Sequence, residues 1–137
     1  MDALRESVLR WIKPLHRKLR NQKVDLFFEL TRGQPAGSLL DVGGGAGITG
    51  EFLKLYSLFG EVTVVNLQAV KLDLPGHSQL RTVVADGCNL PFAEREFDWV
   101  FSNAVIEHVG GWDRQKAFAE EVRRVARKGY FVATPNK

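Results

Sequence analysis

One run of nine residues constrains this chain more than any other: Leu39-Leu40-Asp41-Val42-Gly43-Gly44-Gly45-Ala46-Gly47. It reads as a buried strand that ends in a glycine-rich turn, with a helix beginning beyond it. Glycines tolerate positive φ and let the backbone come close to a ligand. The helix N-terminus adds free amides and the positive end of a dipole. Strand, tight turn and helix in succession form one unit of an α/β fold.

The rest of the chain repeats that alternation. Short apolar runs predict strands at Ser38–Val42, Glu61–Asn66, Leu80–Ala85, Phe97–Ser102 and Gly129–Thr134. Helices are expected over Ala46–Leu58, over a weak piece near Gln68–Leu72, and over Asp113–Arg127, where Phe118, Val122 and Val125 form a stripe. Strands alternating with helices imply a doubly wound parallel sheet. Runs such as Val62–Val65 suit strands covered on both faces. Residues 1–35 read as a separate basic amphipathic helical segment, broken at Pro14 and closed by Gly33 and Pro35. In that segment Leu4, Val8, Trp11 and Ile12 fall at helical spacing, and Leu15, Leu19, Leu26 and Leu30 are expected to continue the apolar stripe. Residues 36–137 form the sheet domain.

At 137 residues the chain can build one core. No apolar run approaches the roughly 18 residues of a membrane span, and no secretory signal pattern is present, so a cytoplasmic protein is expected. The single cysteine, Cys88, excludes an internal disulfide and a multi-cysteine metal site. The formal net charge of +3 is uneven: residues 1–32 hold eight Lys/Arg against four Asp/Glu. Five bases and no acid lie from Lys13 to Lys23. That run fits a solvated helix face, or contact with an anionic or membrane surface through residues 13–23. No aromatic residues interleave with it, so no nucleic-acid partner is expected.

The glycine turn has two readings. Gly45-Ala46-Gly47-Ile48-Thr49-Gly50 matches the dinucleotide fingerprint G-x-G-x-x-G, a weak signal alone. Asp41, two residues before Gly43, argues for another ligand. A carboxylate there suits a cation and would repel a pyrophosphate. The spacing Asp41-x-Gly43-x-Gly45-x-Gly47 resembles motif I of class I methyltransferases that use S-adenosylmethionine (SAM), and Gly44 lies within it. Two further segments resemble the same family, in its type 11 group: Ala85-Asp86-Gly87-Cys88-Asn89-Leu90-Pro91-Phe92, and Phe97 to Val109 with Asn103, Glu107 and His108.

The resemblance implies roles for these positions. Asn66 stands where the family usually has an acid for the ribose hydroxyls. Asn can donate and accept, but it lacks the charge. Leu67 would lie against the adenine face, Asp86 would accept from its amino group, and Gly87 and Cys88 would meet its edge. Read alone, Asp86 is equally a loop-capping aspartate. Asn103 would sit beside the methionine part and the acceptor. His108 could serve as a base toward an acceptor hydroxyl, or simply pack locally. No metal site is expected.

The resemblance implies a sheet in the order 3-2-1-4-5, without the family's strands 6 and 7. The chain is then expected to be the cofactor-binding part of a longer enzyme for a small-molecule acceptor. Gly129–Thr134 would be an exposed edge able to self-associate. A non-catalytic SAM-binding module is the alternative, and an NAD-dependent oxidoreductase is disfavoured by Asp41 and Asp86.

Overall fold

The computed structural model describes residues 18, 22–31, 37–45, 50–72 and 80–135. Residues 22–31 are helical (α1). Then come β1 (Ser38–Val42), α2 (Gly50–Ser57), β2 (Glu61–Asn66), β3 (Leu80–Val84), β4 (Phe97–Asn103), a 3₁₀ turn (Ile106–His108), α3 (Trp112–Val125) and β5 (Ala126–Ala133). The five strands form one sheet in the order β3-β2-β1-β4-β5, and every neighbouring pair is parallel. This is the doubly wound arrangement expected from the alternation.

Both sheet faces are covered because successive strand residues point to opposite sides. Leu39 joins one core with Phe27 of α1 and Leu55 and Tyr56 of α2. Leu40 and Val42 join the other, with Phe118, Val122 and Val125 of α3. Phe27, 1% exposed, meets Trp99, Phe101 and Phe131 edge-on, with ring centroids 6.1, 5.3 and 5.8 Å away. Helix α1 is therefore pinned to the sheet by an aromatic cluster. At the other ends of β1 and β4, the Ser38 amide donates to Asp98 Oδ2 and the Asp98 amide donates to Ser38 Oγ, each at 3.0 Å.

Four details differ from the sequence reading. Leu26 and Leu30 are exposed, and α1 instead buries Val24, Phe27 and Thr31, because the aromatic cluster receives the Phe27 ring. The piece near Gln68–Leu72 is not helical: Val70 and Leu72 turn inward while Gln68, Ala69 and Lys71 are exposed, a spacing of two that gives no helical face. β3 ends at Val84, and β4 extends to Asn103. Helix α3 stops at Val125 and passes directly into β5 at Ala126, which pairs with Phe97 through a register shift. Arg127 is thus a strand residue, donating to the Arg95 carbonyl at 3.2 Å and to Asp98 Oδ1 at 3.4 Å, and not the last residue of the helix. The expected helix before residue 22 lies outside the described residues, apart from exposed Lys18. No helix among the described residues is long and apolar enough to cross a membrane.

Candidate functional site

Open α/β sheets bind ligands at the carboxyl ends of their strands, where the chain connections diverge. Here the ends of β1, β2, β3 and β4 surround a cavity of about 260 Å³. Its walls include Gly43, Asn66, Leu67, Asp86, Gly87 and His108. Val105 and Arg114, which the sequence did not single out, are also among them. A wider cleft at the amino ends of the strands holds Arg81, whose guanidinium donates to the Thr63 hydroxyl at 3.2 and 3.3 Å.

The turn after β1 is built around Asp41. Gly43 has φ +86, and its amide donates to the Val65 carbonyl at 2.7 Å, tying the turn to β2. A Cβ at Gly44 would collide with the Asp41 carboxylate and the Tyr56 hydroxyl, so only glycine fits there. Asp41 is buried, and its Oδ2 accepts from the hydroxyl of Tyr56 on α2. Burial pushes the Asp41 carboxyl up to about 6, against the opposing pull of that hydrogen bond. Burial and the Asp41 charge raise the Tyr56 hydroxyl far above its ordinary range, so it stays a donor. Asp41 thus braces the turn from beneath and is not among the cavity walls. Gly47 lies outside the described residues, and Gly45 belongs to the turn beneath Val70.

Asn66 Nδ2 donates to the Gly44 carbonyl at 2.9 Å, so this side chain locks the turn to β2. Leu67 is 69% exposed beside the cavity, an apolar face without cover. Asp86 accepts from the Cys88 amide at 2.9 Å through Oδ1 and from Arg114 Nη2 at 2.8 Å through Oδ2. The Cys88 amide first, and then Arg114, hold its carboxyl below the usual carboxylate range. Cys88 is partly buried; burial and then the Asp86 charge raise its thiol, which argues against a reactive thiolate.

Asn103 ends β4, outside the cavity wall, and its Oδ1 accepts from Lys23 Nζ of α1 at 3.0 Å. One base of the 13–23 run is therefore turned toward the strand ends. His108 is open to solvent, with Nε2 4.0 Å from Glu107 Oε1. Both Glu107 carboxylate oxygens are buried without a hydrogen-bond partner. Among the described residues no cluster of three or more His, Cys, Asp or Glu could hold a metal ion. Sequence reasoning missed Tyr56, Lys23 and Arg114. Arg114 alone left a signal, as a base in the first turn of a helix, where acids are favoured.

A family model described as "Methyltransferase domain" matches residues 40–133. An uncharacterized protein of Methanocaldococcus jannaschii is 31% identical over 100 residues, covering 73% of this chain and 44% of that protein. A protein of Pyrococcus horikoshii superposes with a TM-score of 0.65 at 23% identity, covering 85% of this chain and 57% of its own. A SAM-dependent methyltransferase from Aquifex aeolicus superposes with a TM-score of 0.55 at 22% identity, covering 66% and 51%. The chain thus spans about half the length of these relatives.

Proposed function

The chain belongs to the methyltransferase domain family, whose cofactor is SAM, and on that premise we propose that the cavity at the carboxyl ends of β1 to β4 binds SAM for methyl transfer to a small-molecule acceptor. One observation carries the assignment. Exposed Leu67 and the acceptor oxygens of Asp86 stand in the walls of one cavity beside a glycine turn. An apolar wall and a fixed carboxylate suit a flat base that bears an amino group. Asn66 Nδ2 is committed to Gly44, and its Oδ1, which accepts from the Gln68 amide at 3.4 Å, has a second lone pair for a ribose hydroxyl.

When bound, SAM supplies an already activated methyl group, so the chain mainly contributes position and a dry site. Gly43, on the cavity wall, lets the backbone come close to the ligand. Asn103 and Lys23 stand at the end of β4, beside the acceptor position, where Lys23 would favour a negatively charged acceptor group. His108, on the cavity wall, would take the proton of an acceptor hydroxyl. The exposed side of β5, including Gly129–Thr134, would pair with a second copy or with further chain.

Calorimetric titration with SAM, S-adenosylhomocysteine and NAD tests the cofactor. Tighter binding of NAD than of both thionucleosides would overturn the assignment. An Asp86→Ala variant should bind SAM about 1.5–3 kcal/mol more weakly, as a lost charge-assisted hydrogen bond predicts. Methyl transfer to phenols, amines and carboxylic acids, with His108→Ala as control, then tests the acceptor class.

A further inference from the structure

Arg114 links the segments that form one side of the cavity. It sits in the first turn of α3, where the positive end of the helix dipole disfavours a base. Its Nη2 donates to Asp86 Oδ2 at 2.8 Å, and its Nε donates to the Val109 carbonyl at 3.1 Å. Its own carbonyl accepts from Cys88 Sγ at 3.3 Å. The loop after β3, the loop after β4 and helix α3 therefore meet at this side chain.

The consequence falls on Asp86. An ionised carboxylate only accepts hydrogen bonds, through about four lone-pair positions. The Cys88 amide takes one on Oδ1 and Arg114 takes one on Oδ2. The carboxylate is thereby fixed in rotation, and the Cys88 amide and then Arg114 hold it below the usual carboxylate range. What remains is a pair of acceptors on the cavity wall. A ligand group there must donate. An exocyclic amine satisfies the remaining acceptors, whereas a carbonyl oxygen sets lone pairs against lone pairs with no proton between them, an arrangement that sites use to reject close analogues.

We infer that Arg114 is a positioning residue for base selection: by holding Asp86 as a fixed acceptor, it makes this cavity take a 6-aminopurine nucleoside and refuse a 6-oxopurine one. The inference rests on the proposal that the cavity receives the nucleoside of SAM. A purely structural clamp between Val109 and Asp86 would behave differently, because its loss would weaken both nucleosides alike.

The test is calorimetry of the full chain with S-adenosyl-L-homocysteine and S-inosyl-L-homocysteine. The native protein, Arg114→Gln, Arg114→Met and Arg114→Lys are compared at neutral pH. The native protein should prefer the adenosyl ligand by about tenfold or more, the size of one charge-assisted hydrogen bond. That preference should shrink several-fold in the Gln and Met variants, through weaker adenosyl binding, and should largely return with Lys. An unchanged ratio in both neutral variants overturns the role of Arg114, whatever happens to overall affinity. Failure of the native protein to bind S-adenosyl-L-homocysteine would instead remove the cavity assignment itself.

Discussion

The hydroxyl of Tyr56 on α2 donates to the buried carboxylate of Asp41 at the end of β1, directly beneath Gly44. The pair couples the first helix after the glycine turn to the strand before it. It also gives the turn a titrating group. Below the ordinary value of 3.8 the Asp41 carboxyl is neutral in folded and unfolded chains alike. Above about 6 it is charged in both, and the cost of burying that charge is fully present. Stability contributed at this position therefore falls as pH rises from about 4 to about 6, by about 3 kcal/mol, and is level above.

An Asp41→Asn variant has no such titration. The difference in unfolding free energy, Asn variant minus native, should grow by about 3 kcal/mol from the lower to the upper end of that window in urea titrations. A difference that stays level would show that Asp41 does not titrate there. Tyr56→Phe leaves the carboxylate unpaired and should lose about 1–3 kcal/mol above the window.

The family's usual acid at position 66 suggests Asn66→Asp as an improvement, but the geometry predicts the reverse. Asn66 Nδ2 donates to the Gly44 carbonyl at 2.9 Å. A carboxylate there cannot donate and faces a carbonyl oxygen instead. The variant should lose roughly 1–3 kcal/mol of stability at neutral pH. Thermal melts that match the native protein would mean that this hydrogen bond contributes nothing to holding the turn.

Glu107 presents both carboxylate oxygens buried and without a hydrogen-bond partner, with His108 Nε2 4.0 Å from Oε1. A neutral isostere avoids much of the cost of an unpaired buried carboxylate. Glu107→Gln should therefore be at least as stable as the native chain, by up to about 1–2 kcal/mol. A clear loss of stability in guanidinium titrations would count against that reading.

Phe27→Ala tests whether α1 is integral to the sheet. The ring is 1% exposed and is held by Trp99, Phe101 and Phe131. A large aromatic lost from such a core costs about 3–5 kcal/mol. A loss below about 1 kcal/mol would mean that α1 is not integral to the sheet.

Periodicity was enough to place β1 and β2 to the residue, because their runs are apolar on both faces and are bounded by glycine or polar residues. It failed at the junction of α3 and β5. No turn residue separates them, and Arg127 is recruited by Asp98, 29 positions away. Asn66, Leu67, Asp86, Gly87 and His108, which the cavity brings together, were legible as candidates because each follows or closes a strand end in a recognisable motif. Tyr56 and Lys23 were not, since their partners lie 15 and 80 positions away and no local pattern records such pairs, and the odd place of Arg114 in the first turn of α3 does not name its partner 28 positions away. Leu26 and Leu30 misled for a related reason. They fit a helical stripe, but the sheet selected the face that carries Phe27.

The edge of the sheet yields the last prediction. β5 pairs with β4 on one side, and among the described residues no strand lies on its other side. Its outward N–H and C=O groups can template another strand, and parallel edges of this kind are otherwise covered. Tyr130, 54% exposed on this strand, adds apolar area to the same edge. The chain should therefore self-associate in a concentration-dependent way. A lysine at an edge strand opposes such pairing by placing a charge that must be desolvated on approach. Tyr130→Lys should shift sedimentation-velocity profiles toward monomer. Because the position is half exposed, it should change unfolding free energy by no more than about 0.5 kcal/mol. A native chain that remains monomeric at every concentration would reject pairing through this edge. So would a Tyr130→Lys variant that associates as strongly as the native chain.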